Sequence, residues 1–487
     1  MKVRTRFAPS PTGYLHIGGF RTALFAFLTA KSQNGEFVLR IEDTDQKRLV
    51  EGSMENFIEI FKWAGIEFNE SPLSPGKFGP YIQSERKEIY DKYKKILLEK
   101  GEAYHCFCTP ERLQAMREEQ QKNKKPPRYD RTCRNLSKEE IERRIKAGEK
   151  YVIRQKMPLK GEIVVHDELR GDIKFKAEEL EDQVLIKSDG TPTYQFAVVV
   201  DDHLMEITHI TRSEEWIPSF PKNVLLYESF NWELPKFIHF PVVLNKEGGK
   251  LSKRQGSVSV EDFRDQGYLK EALINFVSLL GWHPEGDNEI LSLDDLIKKF
   301  NYKKINTSPA IFDTEKLDYF NAYYIRQMNI DELTLMARPY LAENIKKSSK
   351  AHKKTFEFLK SVVRIEQERL KKISDIKELT EFLFVDELNY EKELLIWKKN
   401  TLENAQKNLE KIIYLLEKIP EENWTNDSIE DSIISWLKAQ ELKIGDYLWP
   451  MRVALSGKKA SPGPFEIAEV LGKEEVLEKI KKAINKK

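Results

Sequence analysis

The sequence has 487 residues, 40% of them hydrophobic and 33% charged, which is too long for one hydrophobic core and typical of a soluble chain with several domains. Its formal net charge of +1 excludes a protein that attracts polyanions over its whole surface, so a nucleic-acid partner would have to meet local basic patches. No apolar run approaches the roughly 18 residues of a membrane span, the N-terminus lacks a signal-peptide core, and three cysteines are too few for a disulfide framework, so we expect a cytoplasmic protein that contacts no membrane.

A strand, a tight turn and a helix follow one another at the N-terminus. Residues 3–7 predict a short strand, a proline-rich turn follows, and the apolar segment 20–30 predicts a helix. The start of a helix presents N–H groups and partial positive charge, which favour phosphate. Gly18 and Gly19 would let a ligand approach the backbone, and His16 could contact a phosphate. An ordinary turn that binds nothing has the same composition.

The next segments alternate between strand and helix patterns. Residues 38–41 form an apolar run that ends in the acidic stretch 42–45, and a helical pattern covers 53–64. This alternation predicts a parallel α/β sheet. The pattern breaks between about 84 and 190 and resumes at 194–211, so the intervening stretch is interpreted as an insertion.

The three cysteines all lie within this insertion. Cys106 and Cys108 are separated by one residue, and Cys133 follows after 24 intervening residues. Three thiols in this arrangement indicate a tetrahedral zinc site, to which the neighbouring His105 could contribute. Three thiols without a metal are the alternative interpretation.

A short basic segment follows the second α/β stretch. Lys250, Lys253 and Arg254 come after the strand-like residues 236–244 and a glycine turn. Lysines in such a loop suit the negative charge that develops on a reacting phosphate. A basic loop of this kind is also common as a solvated surface.

From about residue 331 the strand signals nearly vanish. Apolar residues recur at spacings of three and four between 402 and 419, which predicts an amphipathic helix with one face buried in a bundle. Residues 346–372 carry ten Lys or Arg against three Asp or Glu, and such a run is typically a solvated face.

Two of these segments together resemble the paired signatures of class I aminoacyl-tRNA synthetases. His16-Ile-Gly-Gly19 resembles the family's His-Ile-Gly-His, and Lys250-Leu-Ser-Lys-Arg254 resembles its Lys-Met-Ser-Lys-Ser. The departures at Gly19 and Arg254 resemble the glutamyl branch. Further segments are similar to bacterial glutamyl-tRNA synthetases in the same order along the chain, at residues 40–45, 79–86, 189–194, 200–203 and 448–455.

The resemblance implies an α/β Rossmann-like nucleotide-binding core with an inserted α+β domain and a mainly α-helical C-terminal region. Residues 1–83 and 191–249 would be the two halves of the catalytic domain, and 84–190 the inserted domain that binds the tRNA acceptor end. Residues 250–330 would contact the tRNA stem and carry the Lys-Leu-Ser-Lys-Arg loop. Residues 331–487 would bind the anticodon through two subdomains, in a protein that is a monomer.

The activity implied is that of an ATP-dependent glutamate–tRNA ligase. The carboxylate of L-glutamate attacks the α-phosphate of ATP, held with Mg²⁺, to give glutamyl-adenylate and diphosphate. A terminal ribose hydroxyl of tRNA-Glu then attacks the acyl carbon and releases AMP. Positioning and electrostatic stabilisation would supply most of the catalysis.

The resemblance also assigns residues to the two small substrates. His16, Gly18, Gly19 and Lys253 match positions that bind ATP, and His16, Lys253 and Lys250 are the expected catalytic residues. Positions that contact glutamate in the family are matched by Arg6, Ser10, Glu42, Tyr194 and Arg212. Arginine offers a two-point fork to a carboxylate, and Glu42 suits the ammonium group. At strand ends the same residue types commonly form structural ion pairs instead.

For zinc, the resemblance offers a fourth ligand. One form of the family has it two residues after the last cysteine, where this chain carries Asn135, a poor ligand. Another form, found in small glutamyl-queuosine relatives, matches Tyr129. The expected set of Cys106, Cys108, Tyr129 and Cys133 would hold one structural Zn²⁺, with His105 or no metal as the alternatives.

Three other functions compete with this interpretation. A glutaminyl-tRNA synthetase shares the nucleotide core, but its relatives have a β-barrel anticodon region, and two arginines suit an anionic substrate better than an amide. A nucleotidyltransferase for a small molecule would not need the long helical region. A non-catalytic RNA-binding paralogue would have damaged signatures, whereas His16, Gly18 and Lys253 are present.

Overall fold

The computed structural model of the chain describes residues 2–249, 251 and 259–486. They form two compact units: residues 1–264 with 273–314, and residues 265–272 with 315–487. The strands are β1 (Arg4–Phe7), β2 (Glu36–Leu39), β3 (Ala103–Cys106), β4 (Val152–Gln155), β5 (Glu162–Asp167), β6 (Gly171–Lys176), β7 (Val184–Ile186), β8 (His209–Ser213), β9 (Lys236–Phe240), β10 (Val243–Leu244) and β11 (Ala310–Ile311). The helices of the first half are α1 (Ile17–Lys31), α2 (Ser53–Ala64), α3 (Lys87–Glu99), α4 (Pro110–Lys122), α5 (Lys138–Lys146), α6 (Tyr194–Leu204), α7 (Phe220–Phe230), α8 (Val260–Asp265), α9 (Lys270–Ser278) and α10 (Leu293–Lys299). Those of the second half are α11 (Thr314–Gln327), α12 (Ile330–Lys347), α13 (Phe356–Glu366), α14 (Ile376–Thr380), α15 (Leu402–Glu417), α16 (Asn426–Ala439), α17 (Gly445–Ser456), α18 (Pro464–Leu471) and α19 (Lys473–Ile484).

Two sheets meet at the centre of the first unit and together make its core sheet: the pair of β1 and β2, and a mixed sheet with the order β6-β5-β9-β8. β1 pairs with β2 in parallel, and β8 pairs with β9 in parallel so that Arg212 lies opposite His239. The two pairs meet where the Thr208 N–H donates to the Arg4 carbonyl at 2.9 Å. The parallel α/β core predicted from the strand and helix alternation is therefore confirmed. The carboxyl ends of such strands are where α/β folds bind ligands.

Helix α1 fits this core because most of its side chains are apolar. It begins at Ile17, earlier than the predicted residue 20, because His16 caps it. The Thr5 hydroxyl of β1 donates to the Ala26 carbonyl in the middle of the helix at 2.8 Å. Burial on most sides, which includes Arg21 and Thr29, explains why the apolar residues of this helix are not confined to one face.

The stretch predicted as an insertion contributes to two sheets. β3, β4 and β7 form a small antiparallel sheet, with α4 and α5 in the same stretch. The hairpin of β5 and β6 instead extends the core sheet, since Asp167 at the end of β5 pairs with Phe237 of β9. Two strands of the core sheet, β5 and β6, thus come from the stretch predicted as an insertion.

The described residues of the second unit form helices joined by loops, and none of them forms a strand. The predicted amphipathic helix is α15, whose buried face includes Ala405, Leu409, Ile412 and Leu416. The basic run at 346–372 is not uniformly solvated, because Lys353 is fully buried. Among the described residues, no helix is both long enough and apolar enough to cross a membrane.

Candidate active site

A cavity of about 510 Å³ opens where β1, β8 and the start of α1 come together. Seven of the residues singled out in the sequence line it: Arg6, Ser10, His16, Gly19, Glu42, Tyr194 and Arg212. They come from segments up to about two hundred residues apart, which the parallel sheet brings to one edge. Lys250 and Lys253 lie outside the described residues, so their positions relative to this cavity are not described.

The start of α1 is built around the ring of His16. Its Nδ1 accepts the Gly19 N–H at 3.1 Å and so caps the helix. A Cβ on Gly18 would lie 3.2 Å from this ring, and one on Gly19 would lie 3.1 Å from Leu15 Cδ1. Gly18 therefore allows the imidazole to lie close against the helix N-terminus, a position that favours anions, and Gly19 leaves room for the side chain of Leu15.

A buried charge network forms the floor of the cavity. Arg6 bonds Asp202 at two points, with Nε 2.9 Å from Oδ1 and Nη2 3.1 Å from Oδ2. Arg40 contacts the same carboxylate at 2.8 Å and also Glu42 at 2.9 Å. Burial opposes ionisation of Asp202, but the two guanidinium groups outweigh it and hold the pKa of Asp202 below its usual value. Arg6 is thus largely occupied by a protein carboxylate.

Glu42 is the acidic group of the cavity. Burial raises the pKa of Glu42 to about 7, although Arg40 and Arg6 act in the opposite direction. A cationic ligand beside Glu42 would stabilise the charged form that burial disfavours. The ammonium group of an amino acid would be such a partner.

Arg212 reaches the cavity from β8 with its guanidinium held on two sides. Its Nε donates to His239 Nε2 at 2.9 Å, and its Nη1 donates to Asn223 Oδ1 at 3.0 Å. Its Nη2 is buried and has no hydrogen-bond partner among the described residues. Burial, the largest influence, lowers the pKa of Arg212. A buried donor without a partner is costly, so this end of the side chain is suited to an anionic ligand.

The remaining wall is aromatic. The ring of Tyr194 lies 4.7 Å from that of Trp216, centroid to centroid. Burial raises the pKa of Tyr194 to about 12, so its hydroxyl stays a hydrogen-bond donor at neutral pH. Ser10 also lines the cavity, from a position between the two prolines of the N-terminal turn.

A second cleft of about 1050 Å³ adjoins the cavity and shares Ser10, Glu42 and Tyr194 with it. Four cationic side chains line this cleft: Lys47, Arg48, Lys187 and Lys222. Glu42, Asp45 and Asp189 line the cleft as well, and Arg48 pairs with Asp45. The three lysines are therefore the groups suited to an anionic ligand, which the shared residues place next to the cavity.

The three cysteines come together away from this cavity. Their Sγ atoms all lie within 4.8 Å of one another, and those of Cys108 and Cys133 are 3.6 Å apart. The hydroxyl of Tyr129 lies 3.2 Å from Cys106 Sγ and 3.6 Å from Cys108 Sγ. The ring of His105 instead packs against Tyr151, at 4.9 Å between centroids.

Four residues of the cavity's surroundings received no role in the sequence analysis: Arg40, Asp167, Asp202 and His239. Arg40 and Asp202 lie inside motifs that carried the family resemblance, so that resemblance was the available signal for them. Asp167 and His239 are 72 residues apart and meet only through the pairing of β5 with β9. No local pattern indicates that contact.

Comparison with known proteins bears on the whole chain. A family model described as tRNA synthetases class I (E and Q), catalytic domain, matches residues 2–319, and one described as an anticodon binding domain matches residues 332–484. A glutamate–tRNA ligase of Clostridium botulinum is 49% identical over 488 residues, which cover 100% of this chain and 98% of that protein. One of Clostridium tetani is also 49% identical, over 489 residues and with the same coverage.

Solved structures give the same result. The crystal structure of a glutamate tRNA ligase from Elizabethkingia meningosepticum, in complex with its amino acid, superposes with a TM-score of 0.90 at 36% identity, and each chain is covered completely. The glutamate-tRNA synthetase of Elizabethkingia anophelis does so with a TM-score of 0.90 at 37% identity. The chain therefore belongs to the glutamate–tRNA ligases of the class I aminoacyl-tRNA synthetase family.

Proposed function

We propose that this chain is an ATP-dependent ligase that activates L-glutamate as glutamyl-adenylate and transfers the glutamyl group to the 3′ end of tRNA-Glu. The observation that carries the substrate choice is the pairing of opposite charges within one cavity. Arg212 offers a buried Nη2 that has no hydrogen-bond partner in the described part of the chain, and Glu42 offers a carboxylate with a raised pKa. Glutamate complements both, because it carries a side-chain carboxylate and an ammonium group.

The roles of the other cavity residues follow from their chemistry. Ser10 and Glu42 would bind the ammonium group, the hydroxyl of Tyr194 would contact the substrate, and Arg6 would act with Arg212 on the carboxylate. Two nitrogens of Arg6 bond Asp202 and its Nη1 donates to the Thr211 carbonyl at 3.3 Å, so Arg6 would contribute through the N–H groups that these bonds leave over and through its charge.

ATP would be bound at the start of α1. His16, Gly18 and Gly19 supply an imidazole and a closely approachable helix N-terminus, which suit phosphate oxygens. Mg²⁺ would accompany ATP and neutralise charge on its phosphates, held mainly by phosphate oxygens and water. Lys253, with Lys250, is proposed from the sequence alone to stabilise the charge that develops on the α-phosphate.

The tRNA would reach the cavity through the adjoining cationic cleft. Lys47, Arg48, Lys187 and Lys222 could contact phosphates near its 3′ end, which would bring the terminal ribose beside the activated glutamate. We further propose the division of labour expected from the resemblance: 84–190 for the acceptor end, 250–330 for the stem and 331–487 for the anticodon. The expected monomer stays a prediction.

We also propose one structural Zn²⁺ at the cysteine cluster. Sulfur ligands that bind one tetrahedral zinc at about 2.3 Å lie roughly 3.8 Å apart, and the observed separation of Cys108 and Cys133 is close to that value. Tyr129 has the oxygen nearest to the sulfurs of Cys106 and Cys108, so it suits the fourth position. When bound, the ion would join β3 to the loop at 129–133 by ligand bonds and would leave no open position for catalysis.

Aminoacylation with four combinations of substrates tests the proposed function. Glutamate and glutamine are each supplied with tRNA-Glu and with tRNA-Gln, in the presence of ATP and Mg²⁺. We expect charging of tRNA-Glu with glutamate and no charging with glutamine. Lys253→Ala should strongly reduce adenylate formation while tRNA binding stays nearly intact, and equal losses in both would indicate a structural role for that loop.

A further inference from the structure

A chain of hydrogen bonds runs from the buried carboxylate of Asp167 to the guanidinium of Arg212. Asp167 Oδ2 lies 2.7 Å from His239 Nδ1, and His239 Nε2 accepts the Nε–H of Arg212 at 2.9 Å. Asp167 and His239 are completely buried. The three residues belong to the adjacent strands β5, β9 and β8, so the links cross the sheet rather than follow a loop.

The two ends of this chain determine the tautomer of the histidine. The carboxylate of Asp167 only accepts hydrogen bonds, so His239 Nδ1 must carry the proton. Arg212 only donates, so His239 Nε2 must be unprotonated. If the ring were doubly protonated, its Nε2–H would face the Nε–H of Arg212, and the two donors would repel each other. Burial, which lowers the pKa of His239 to about 4, keeps the ring neutral.

Asp167 is itself fixed by the backbone. Its Oδ2 accepts the His239 N–H at 3.0 Å, and its Oδ1 accepts the N–H groups of Leu169 and Arg170 at 3.0 and 3.1 Å. The carboxylate is therefore held in one orientation, and its hydrogen bond to Nδ1 fixes the orientation of the His239 ring. Rigid support of this kind is what holds a binding group in a productive geometry.

The opposite side of Arg212 is held as well. Asn223 of α7 accepts the Nη1–H at 3.0 Å and donates in turn to Gln195 Oε1 at 2.7 Å. Nε and Nη1 are thus both engaged by neutral acceptors, and Nη2 is the nitrogen without a partner among the described residues. Neutral acceptors leave the positive charge of Arg212 uncompensated by direct pairing, whereas Asp202 pairs directly with Arg6.

We propose that His239, oriented by Asp167, is a positioning residue that holds Arg212 with its Nη2 directed at the side-chain carboxylate of glutamate. This inference rests on the proposed function, and it assigns the selectivity for an anionic substrate to a neutral acceptor behind the cavity. His239 touches no substrate in this account and acts only through Arg212.

Three substitutions separate positioning from general structure. His239→Asn keeps an amide N–H near the position of Nδ1 for Asp167 but is too short to accept from Arg212. His239→Gln reaches the position of Nε2 with its amide oxygen and so restores the acceptor. His209→Gln is the matched control, because His209 is also buried in β8 but bonds Thr208 and packs on Tyr302.

The measurement is the KM for glutamate and the KM for ATP in aminoacylation of tRNA-Glu, with thermal unfolding recorded for each variant. Loss of a hydrogen bond to a charged group predicts a roughly 10- to 100-fold higher glutamate KM for His239→Asn. The KM for ATP should change less than about twofold, His239→Gln should recover most of the glutamate KM, and His209→Gln should resemble the parent protein.

Equal glutamate KM values in His239→Asn and His239→Gln would overturn the proposal, as would parallel increases in the KM for both substrates. If His239→Asn fails to fold, a glutamate KM for His239→Gln more than about tenfold above the parent value would also overturn it, since that variant keeps the acceptor. Absence of glutamate charging by the parent protein would instead refute the proposed function, and the positioning role with it.

Discussion

Arg6 and Asp202 form a two-point ion pair beneath the cavity, and neither side chain is more than 5% exposed. Asp202 also bonds Arg40, so one carboxylate contacts two buried guanidinium groups, of which Arg40 pairs with Glu42 as well. A residue expected to bind substrate is therefore also part of the structure that supports the cavity. Within the described ranges Arg212 bonds His239 and Asn223 but no carboxylate, which makes it the stronger candidate for the substrate carboxylate.

Replacement of Asp202 should destabilise the first unit as well as abolish activity. Asp202→Asn preserves the shape of the side chain but removes the charge that compensates Arg6 and Arg40. Breaking a buried ion pair by removing one partner predicts a loss of about 3 kcal/mol in the free energy of unfolding, measured by urea denaturation. The exposed Glu403→Gln, which removes a surface pair with Lys407, should leave the urea midpoint unchanged. Equal midpoints for both variants would contradict this.

The raised pKa of Glu42 predicts that glutamate binds more tightly as the pH rises. The ammonium of glutamate pairs with the carboxylate form of Glu42, which dominates only above about pH 7. Apparent affinity should therefore fall by up to about tenfold per pH unit below that value. The KM for glutamate, measured at about pH 6, 7 and 8, should follow this course in the parent protein and be nearly flat in Glu42→Gln. A parent profile as flat as that of the variant would refute the ammonium role.

The raised pKa of Glu42 also affects the free energy of unfolding. Glutamate affinity should rise with pH, whereas this contribution of Glu42 to stability should fall with pH. A carboxyl group whose pKa is raised on folding binds its proton more tightly in the folded state. Its destabilising effect is absent below about pH 4.5, grows through about pH 7 and is complete above it. The free energy of unfolding of Glu42→Gln, minus that of the parent protein, should thus be larger at pH 8 than at pH 5. Denaturation at both pH values measures this, and the reverse order would contradict the assignment.

Lys353 should matter for the stability of the second unit although it lies in a basic run. Its Nζ donates to Glu475 at 2.7 Å and to the Leu383 carbonyl at 2.6 Å. Lys353→Met removes these contacts and leaves a buried carboxylate with fewer partners, so a loss of about 2–4 kcal/mol is expected. The exposed neighbour Lys354→Met loses the same charge and should have little effect on urea denaturation. Equal effects would indicate that net charge, not the buried pair, is responsible.

Metal analysis tests the zinc proposal. Protein purified in reducing buffer without chelator should hold about one zinc ion per chain. Tyr129→Phe should release zinc at a lower chelator concentration than the parent protein, because it lacks the fourth ligand. Tyr151→Phe is the matched control, since its ring packs on His105 and not on the cysteine cluster. A metal-free parent protein, or equal release from both variants, would contradict the proposed ligand set.

Local patterns in the sequence predict the elements that local physics determines. The proline-rich turn between β1 and α1 and the buried face of α15 both follow from short-range spacing, and the structure confirms them. The family assignment is confirmed as well, because a relative 49% identical matches the whole length of the chain. The predicted fold class, an α/β core followed by a mainly helical region, rests on both the local patterns and the family resemblance.

Long-range contacts account for what the sequence could not predict. Asp202 meets Arg6 across 196 residues, and the hairpin of β5 and β6 joins the core sheet only through its pairing with β9. The sequence does not distinguish Lys353 from the other nine cations of its basic run, because its partner Glu475 lies 122 residues later in the chain. In each case a side chain's partner depends on the packing of distant elements, which composition and periodicity do not encode.

The ratio of kcat/KM for glutamate to that for glutamine, measured on tRNA-Glu with ATP and Mg²⁺, tests the central claim most directly. A cavity that presents Arg212 to the substrate side chain should prefer the carboxylate over the amide by at least about 10³-fold. Arg212→Ala should lower that ratio by reducing the value for glutamate. Efficient charging with glutamine, or no charging with glutamate, would contradict the account.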